Sequence, residues 1–135
     1  MLSSPHHVPT TRSEASINQS AAIHCVLQMQ VHDITSFKEV AARCAEYSNA
    51  EPGTLYYDWF LDEESGEARL VEGYDSYESI VAHATGPVFT EIGPELMTAC
   101  TILHTDAYGD MATMASGPQF WPSTYWGTAA AGLTS

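Results

Sequence analysis

Among the ionisable side chains between Asn49 and Phe89, Glu72 and His83 are the candidates for moving a proton. An imidazole in an apolar cleft can accept and return protons near neutral pH. A glutamate partly covered by aromatic rings is pushed towards a raised pKa and can then serve as acid or base. Tyr57, Trp59 and Tyr74 lie on the runs that lead up to and include Glu72. Together they could form an apolar cleft with a few convergent polar groups, the usual form of a small-molecule site. The competing reading is structural, because a helix histidine facing a sheet often only satisfies the core and aromatic residues are core residues first.

Other chemistries find little support. There is no Gly-x-Ser-x-Gly elbow, no Walker loop and no dinucleotide-binding fingerprint. A cysteine–histidine nucleophile pair has no local signature. His24, His104 and Asp106 would make a metal site only if their strands were neighbours. The expected order, with the fourth strand at an edge beside the second, separates His24 from His104. The His6–His7 pair sits in a polar tail and is expected to hold no specific metal. No metal site is therefore expected.

The elements that must position Glu72 and His83 follow from hydrophobic periodicity. Ala21 to His32 alternates, with Ile23, Cys25, Leu27, Met29 and Val31 on one face, as a half-buried strand does. Ser36 and Glu39 have capping-box spacing. Phe37, Val40, Ala41, Cys44 and Tyr47 then recur at helical steps, predicting a helix from about Ser36 to Ser48. Glu51-Pro52-Gly53 turns the chain. Thr54 to Asp62 reads as a second strand with Leu55, Tyr57, Trp59 and Leu61 on one face. A polar hairpin loop leads to a third strand, Glu67 to Tyr74, which places Leu70, Glu72 and Tyr74 together. Asp75-Ser76 caps a second helix that carries His83 and breaks at Gly86-Pro87. A further helical stretch, Val88 to Met97, is expected to be interrupted by Gly93-Pro94, and Ala99 to Tyr108 returns to strand.

The order β-α-β-β-α-β, with right-handed crossovers, predicts an α+β ferredoxin-like sandwich: a four-stranded antiparallel sheet with both helices on one face. The other face needs cover, and a second copy of the chain is the simplest, giving a homodimer. Residues 1–20 read as a flexible polar arm and 21–108 as the folded domain. Residues 109–135 show no period but carry Phe120, Trp121, Tyr125 and Trp126. So many large aromatics are expected to pack on the chain's own domain or on a partner subunit.

Composition narrows the partners. Seventeen acidic residues against four basic ones give a formal net charge of -13. Such a surface repels phosphate backbones and anionic lipids, so neither nucleic acid nor membrane is an expected partner. The acidity reads best as a solvated shell. Three cysteines match neither a metal knuckle nor a disulfide scaffold and read as buried free thiols. No signal peptide and no stretch long enough to cross a bilayer is visible, which makes a cytoplasmic location the default expectation.

One resemblance rests on five features in register: Glu51-Pro52-Gly53 after a helix, Tyr57, Glu72-Gly73-Tyr74, Ala82-His83, and Pro87 with Phe89. Together they resemble the antibiotic biosynthesis monooxygenase family of dimeric α/β barrels. The resemblance implies a homodimer with a pocket between sheet and helices, lined by Tyr57, Trp59, Tyr74 and Phe89, with Glu72 and His83 handling protons. Some members oxidise anthrones or quinols with molecular oxygen and no cofactor, the deprotonated substrate itself passing an electron to oxygen. That implies a small aromatic or polyketide-like substrate here. Tyr74 stands where many relatives carry tryptophan. Thr90-Glu91-Ile92-Gly93 lacks the histidine that the haem-degrading branch needs. Two alternatives remain: an isomerase or cyclase of the same fold, and a non-catalytic dimeric binding protein.

Overall fold

The computed structural model describes residues 21–109 and 123–126; the arm expected over 1–20 and most of the aromatic tail lie outside the described residues. Strand β1 (Ile23–Val31) buries every second residue, Ile23 to Val31, as its alternation predicts. Helix α1 (Ile34–Asn49) starts earlier than the capping-box spacing suggests. Asp33 is its N-cap and accepts the backbone N–H of Ser36 at 3.0 Å. Ser36 therefore lies within the first turn as a donor, and the box with Glu39 is not the cap. The inward stripe is Phe37, Val40, Ala41, Cys44 and Ser48; Tyr47, expected on it, is exposed.

Strand β2 (Thr54–Leu61) and strand β3 (Glu67–Tyr74) form the hairpin. Its loop closes on Gly66, whose φ of +76° suits a residue without a side chain. Helix α2 (Tyr77–Ala84) is capped by Ser76, whose hydroxyl accepts the N–H of Ser79. A single π-helical turn (Val88–Ile92) runs straight into helix α3 (Gly93–Ala99). Gly93-Pro94 does not interrupt this stretch. Pro94 sits in the first turn of α3, where a missing N–H leaves no bond unmade. Strand β4 (Cys100–Gly109) follows, and strand β5 (Ser123–Trp126) comes from the tail in which no strand period was expected. A strand of four residues is too short to show one.

The five-stranded sheet has the order β2-β3-β1-β4-β5. This corrects the expected order: β4 pairs antiparallel with β1, not beside β2. The two crossovers interleave, each skipping one strand, so that β3 and β4 flank a central β1. His24 still does not meet His104, because His24 lies opposite Tyr108 and His104 opposite Gln28. His104 instead approaches Asp106 at 3.4 Å and Thr124 at 2.9 Å. Among the described residues no cluster of three or more His, Cys, Asp or Glu side chains could hold a metal ion.

The core lies between the helices and the inward face of the sheet, built on Ile23, Leu27, Met29, Phe37 and Leu70. A bulge opposite Gln28 and Met29 lets both Ile102 and Thr105 of β4 face inward. The opposite face leaves Phe60, Leu103, Tyr108 and Trp126 exposed, with Trp126 stacked on Tyr108 and its indole N–H donating to Asp106. Cys25, Cys44 and Cys100 are free and buried. No helix among the described residues is long and apolar enough to cross a membrane.

Candidate functional site

A cavity of about 310 Å³ opens between the sheet and the segment from α2 to α3. Leu27, Leu70 and Ile102 come from the sheet, Tyr57 and Trp59 from β2, and Val88, Phe89, Leu96 and Met97 from the helical side. Against this apolar wall stand two ionisable residues, Glu72 and His83.

Their placement follows from the local folding. β3 turns alternate residues inward, so Glu72 lies on the face of Leu70 and is buried. The Ser76 cap sets the phase of α2, and the phase brings His83 down onto the sheet, the one buried residue of that helix. Gly53 ties the two segments together. The N–H of Asp75 donates to its carbonyl at 3.0 Å, and Ser79 packs so closely that a Cβ at position 53 would lie 1.8 Å from its hydroxyl oxygen.

The polar groups form one continuous chain. His83 Nδ1 lies 2.8 Å from Glu51 Oε1, which also accepts the Thr54 hydroxyl at 2.7 Å. His83 Nε2 faces Glu72 Oε1 at 3.8 Å, and the Tyr74 hydroxyl donates to that same oxygen. Three rings pack on the imidazole: Tyr57 at 5.2 Å, Tyr74 at 5.7 Å and Phe89 edge-on at 5.6 Å between centroids. Burial pushes the Glu72 carboxyl above the usual carboxylate range; His83 and the Tyr74 hydroxyl offset this in part. Burial, then the nearby Glu72 charge, holds the Tyr57 and Tyr74 phenols well above theirs, so both stay protonated donors.

Of the residues expected from the sequence, Tyr57, Trp59, Glu72, His83 and Phe89 meet at the cavity. Tyr74 does not line it. It is fully buried behind Glu72 and reaches the site through that carboxylate and through its ring contact with His83. The sequence places Glu51 in the turn after α1 and in the family's Glu-Pro-Gly feature but assigns it no role in the site, yet it is the direct partner of His83. The one signal in its favour was a carboxylate fixed just ahead of a rigid Pro-Gly turn. The contributions of α3, Leu96 and Met97, were also missed, because that stretch was read as broken.

The family model for antibiotic biosynthesis monooxygenases matches residues 23–93, more than half of the chain. The chain belongs to this family. No curated protein matches it in sequence. Among solved structures it is similar to MupZ from Pseudomonas fluorescens, with a TM-score of 0.66 and 15% identity, covering 83% of this chain and 93% of MupZ. SnoaB, a cofactor-independent oxygenase from Streptomyces nogalater, has a TM-score of 0.59 at 15% identity, covering 76% of this chain and 99% of SnoaB. A conserved protein from Methanosarcina mazei Go1 has a TM-score of 0.60 at 21% identity, covering 66% of this chain and 92% of that one. At these identities the likeness concerns the fold. Within the antibiotic biosynthesis monooxygenase match lie β1, α1, the turn with Glu51, β3 with Glu72 and α2 with His83; it ends at Gly93, where α3 begins, and β4 follows.

Proposed function

We propose that this chain is a monooxygenase-like enzyme that oxidises a small aromatic, quinol or polyketide-type substrate with molecular oxygen. The observation that carries the reading is a buried histidine–glutamate pair facing an otherwise apolar cavity. Such a cavity holds a flat substrate, excludes water and strengthens the electrostatics of proton transfer. Membership of the family, and the shared fold of SnoaB, support the same reading.

In this mechanism His83 accepts a proton from an activated CH₂ or hydroxyl group of the substrate. For a CH₂ group flanked by aromatic rings, the resulting anion passes one electron to oxygen. The substrate radical and superoxide then join as a peroxide. Glu72, biased by burial towards its protonated form, returns a proton to it. Loss of water leaves a carbonyl, so one oxygen atom enters the product and the other departs in water. The substrate anion is itself the electron donor, and the scheme draws on no further cofactor.

Oxygen uptake with a panel of anthrones and hydroquinones tests the proposal. Turnover by wild type and a loss of roughly 100-fold in His83→Ala are expected. Uptake unchanged in that variant removes His83 from the mechanism. The acid–base pair also suits a second reading, isomerisation or cyclisation of a polyketide-like intermediate, in which His83 removes a proton and Glu72 returns one elsewhere. Undiminished turnover under anaerobic conditions would select it.

The homodimer belongs to the same proposal. Phe60, Leu103 and Trp126 are each more than half exposed on the sheet face away from the helices. A second copy laid on that face would bury them without obstructing the cavity, which opens on the opposite side.

A further inference from the structure

We infer that Glu51 is a positioning residue that decides which nitrogen of His83 carries the proton; this rests on the proton-transfer reading above. An ionised carboxylate can only accept a hydrogen bond. With Glu51 ionised and its Oε1 at 2.8 Å, Nδ1 of the neutral ring is the protonated nitrogen. Nε2 is then bare, and it is Nε2 that faces Glu72. The lone pair needed to take a proton from a bound molecule is thus presented on the cavity side.

Glu51 is itself held in place. Thr54 donates its hydroxyl to the same Oε1, the Glu51 N–H donates to the Ser48 carbonyl at 3.0 Å, and the Thr54 N–H donates to the Glu51 carbonyl at 3.3 Å. Its side chain is 22% exposed against 5% for His83, so it keeps more contact with solvent than the imidazole does. The titratable groups around the ring are Glu51, Tyr57, Glu72 and Tyr74. Among them only Glu51 lies within hydrogen-bond distance of a ring nitrogen. Glu51 does not line the cavity, so it touches no bound substrate and works through the histidine.

The test combines nitrogen-15 NMR of the His83 ring with steady-state kinetics on wild type, Glu51→Gln and Glu51→Ala. Wild type is expected to show Nδ1 protonated and Nε2 bare in the neutral ring. Glu51→Gln, whose amide oxygen still accepts, keeps that signature. Glu51→Ala loses it to a mixture of tautomers, with kcat lower by at least about tenfold and KM within about twofold. If Glu51→Ala fails to fold, Glu51→Met, similar in length but without an acceptor, takes its place. An unchanged Nδ1–H signature in the acceptor-free variant overturns the inference, as does an unchanged kcat despite an altered tautomer. If wild type oxidises none of the panel compounds, the oxidation reading fails on its own. The ring spectra still decide whether Glu51 sets the tautomer.

Discussion

Replacing Glu72 by glutamine should remove a pH dependence of stability that the wild-type protein carries. The side chain is buried, and burial lifts its carboxyl above the ordinary value of about 4.5. The folded state therefore holds a proton there that the unfolded chain has already released. Stability from this group is fully present below the unfolded value and is lost as pH rises through the folded one. Within that window the slope for one proton approaches about 1.4 kcal/mol per pH unit. With a urea dependence of roughly 1.5 kcal/mol per molar, the unfolding midpoint of wild type relative to Glu72→Gln should fall by about 0.9 M per pH unit. Glutamine keeps the size and can still accept from Tyr74, so the difference isolates the charge. Urea titrations of both proteins from pH 4 upward measure it directly. Tyr74→Phe is the internal control: losing the hydroxyl that favours the carboxylate should extend the window to higher pH. Wild-type and Glu72→Gln midpoints that run parallel across the series would refute the argument.

Three further outcomes are expected. Gly53→Ala places a Cβ 1.8 Å from the Ser79 oxygen, displacing the start of α2, and should cost about 1–3 kcal/mol in thermal or urea unfolding; a neutral effect would show that the α2 contact yields freely. The Cys44 thiol is pushed up to about 12 and that of Cys100 to about 11, with Cys25 higher still, all through burial, so a thiol reagent should label none of them before unfolding. Rapid native labelling of any one would contradict its burial. Phe60→Glu on the open sheet face should shift the proposed dimer to monomer in sedimentation equilibrium, and an unaltered dimer would place the interface elsewhere.

The parts of this fold that were legible in the sequence are those governed by local period. β3 spans Glu67–Tyr74 as read, and the alternation of β1 survives residue by residue, because one face of each strand meets the core. Strand order was not legible: the pairing of Val26 with Asp106 leaves no trace in either segment. The start of α1 was misplaced because Asp33 and Ser36 are both good caps, and the geometry of the preceding strand end selects between them. In the site, alternation correctly put Glu72 and Tyr74 on one face. Depth is a tertiary property, and it sends Tyr74 behind the cavity rather than into it. Glu51 is not legible because its partner, His83, lies 32 positions away.

The parallel pairing of β5 along β4, from Thr105 with Ser123 to Tyr108 with Trp126, has a consequence for solubility. A bare β4 would present an unpaired row of amides and carbonyls beside Ile102, Leu103 and Tyr108, a template for strands of other molecules. β5 occupies part of that row with the chain's own backbone. A protein cut after Gly109 would keep every described residue that lines the cavity and the Glu51–His83–Glu72 chain, yet expose a sticky margin. Its failure would be aggregation of folded molecules rather than loss of the site.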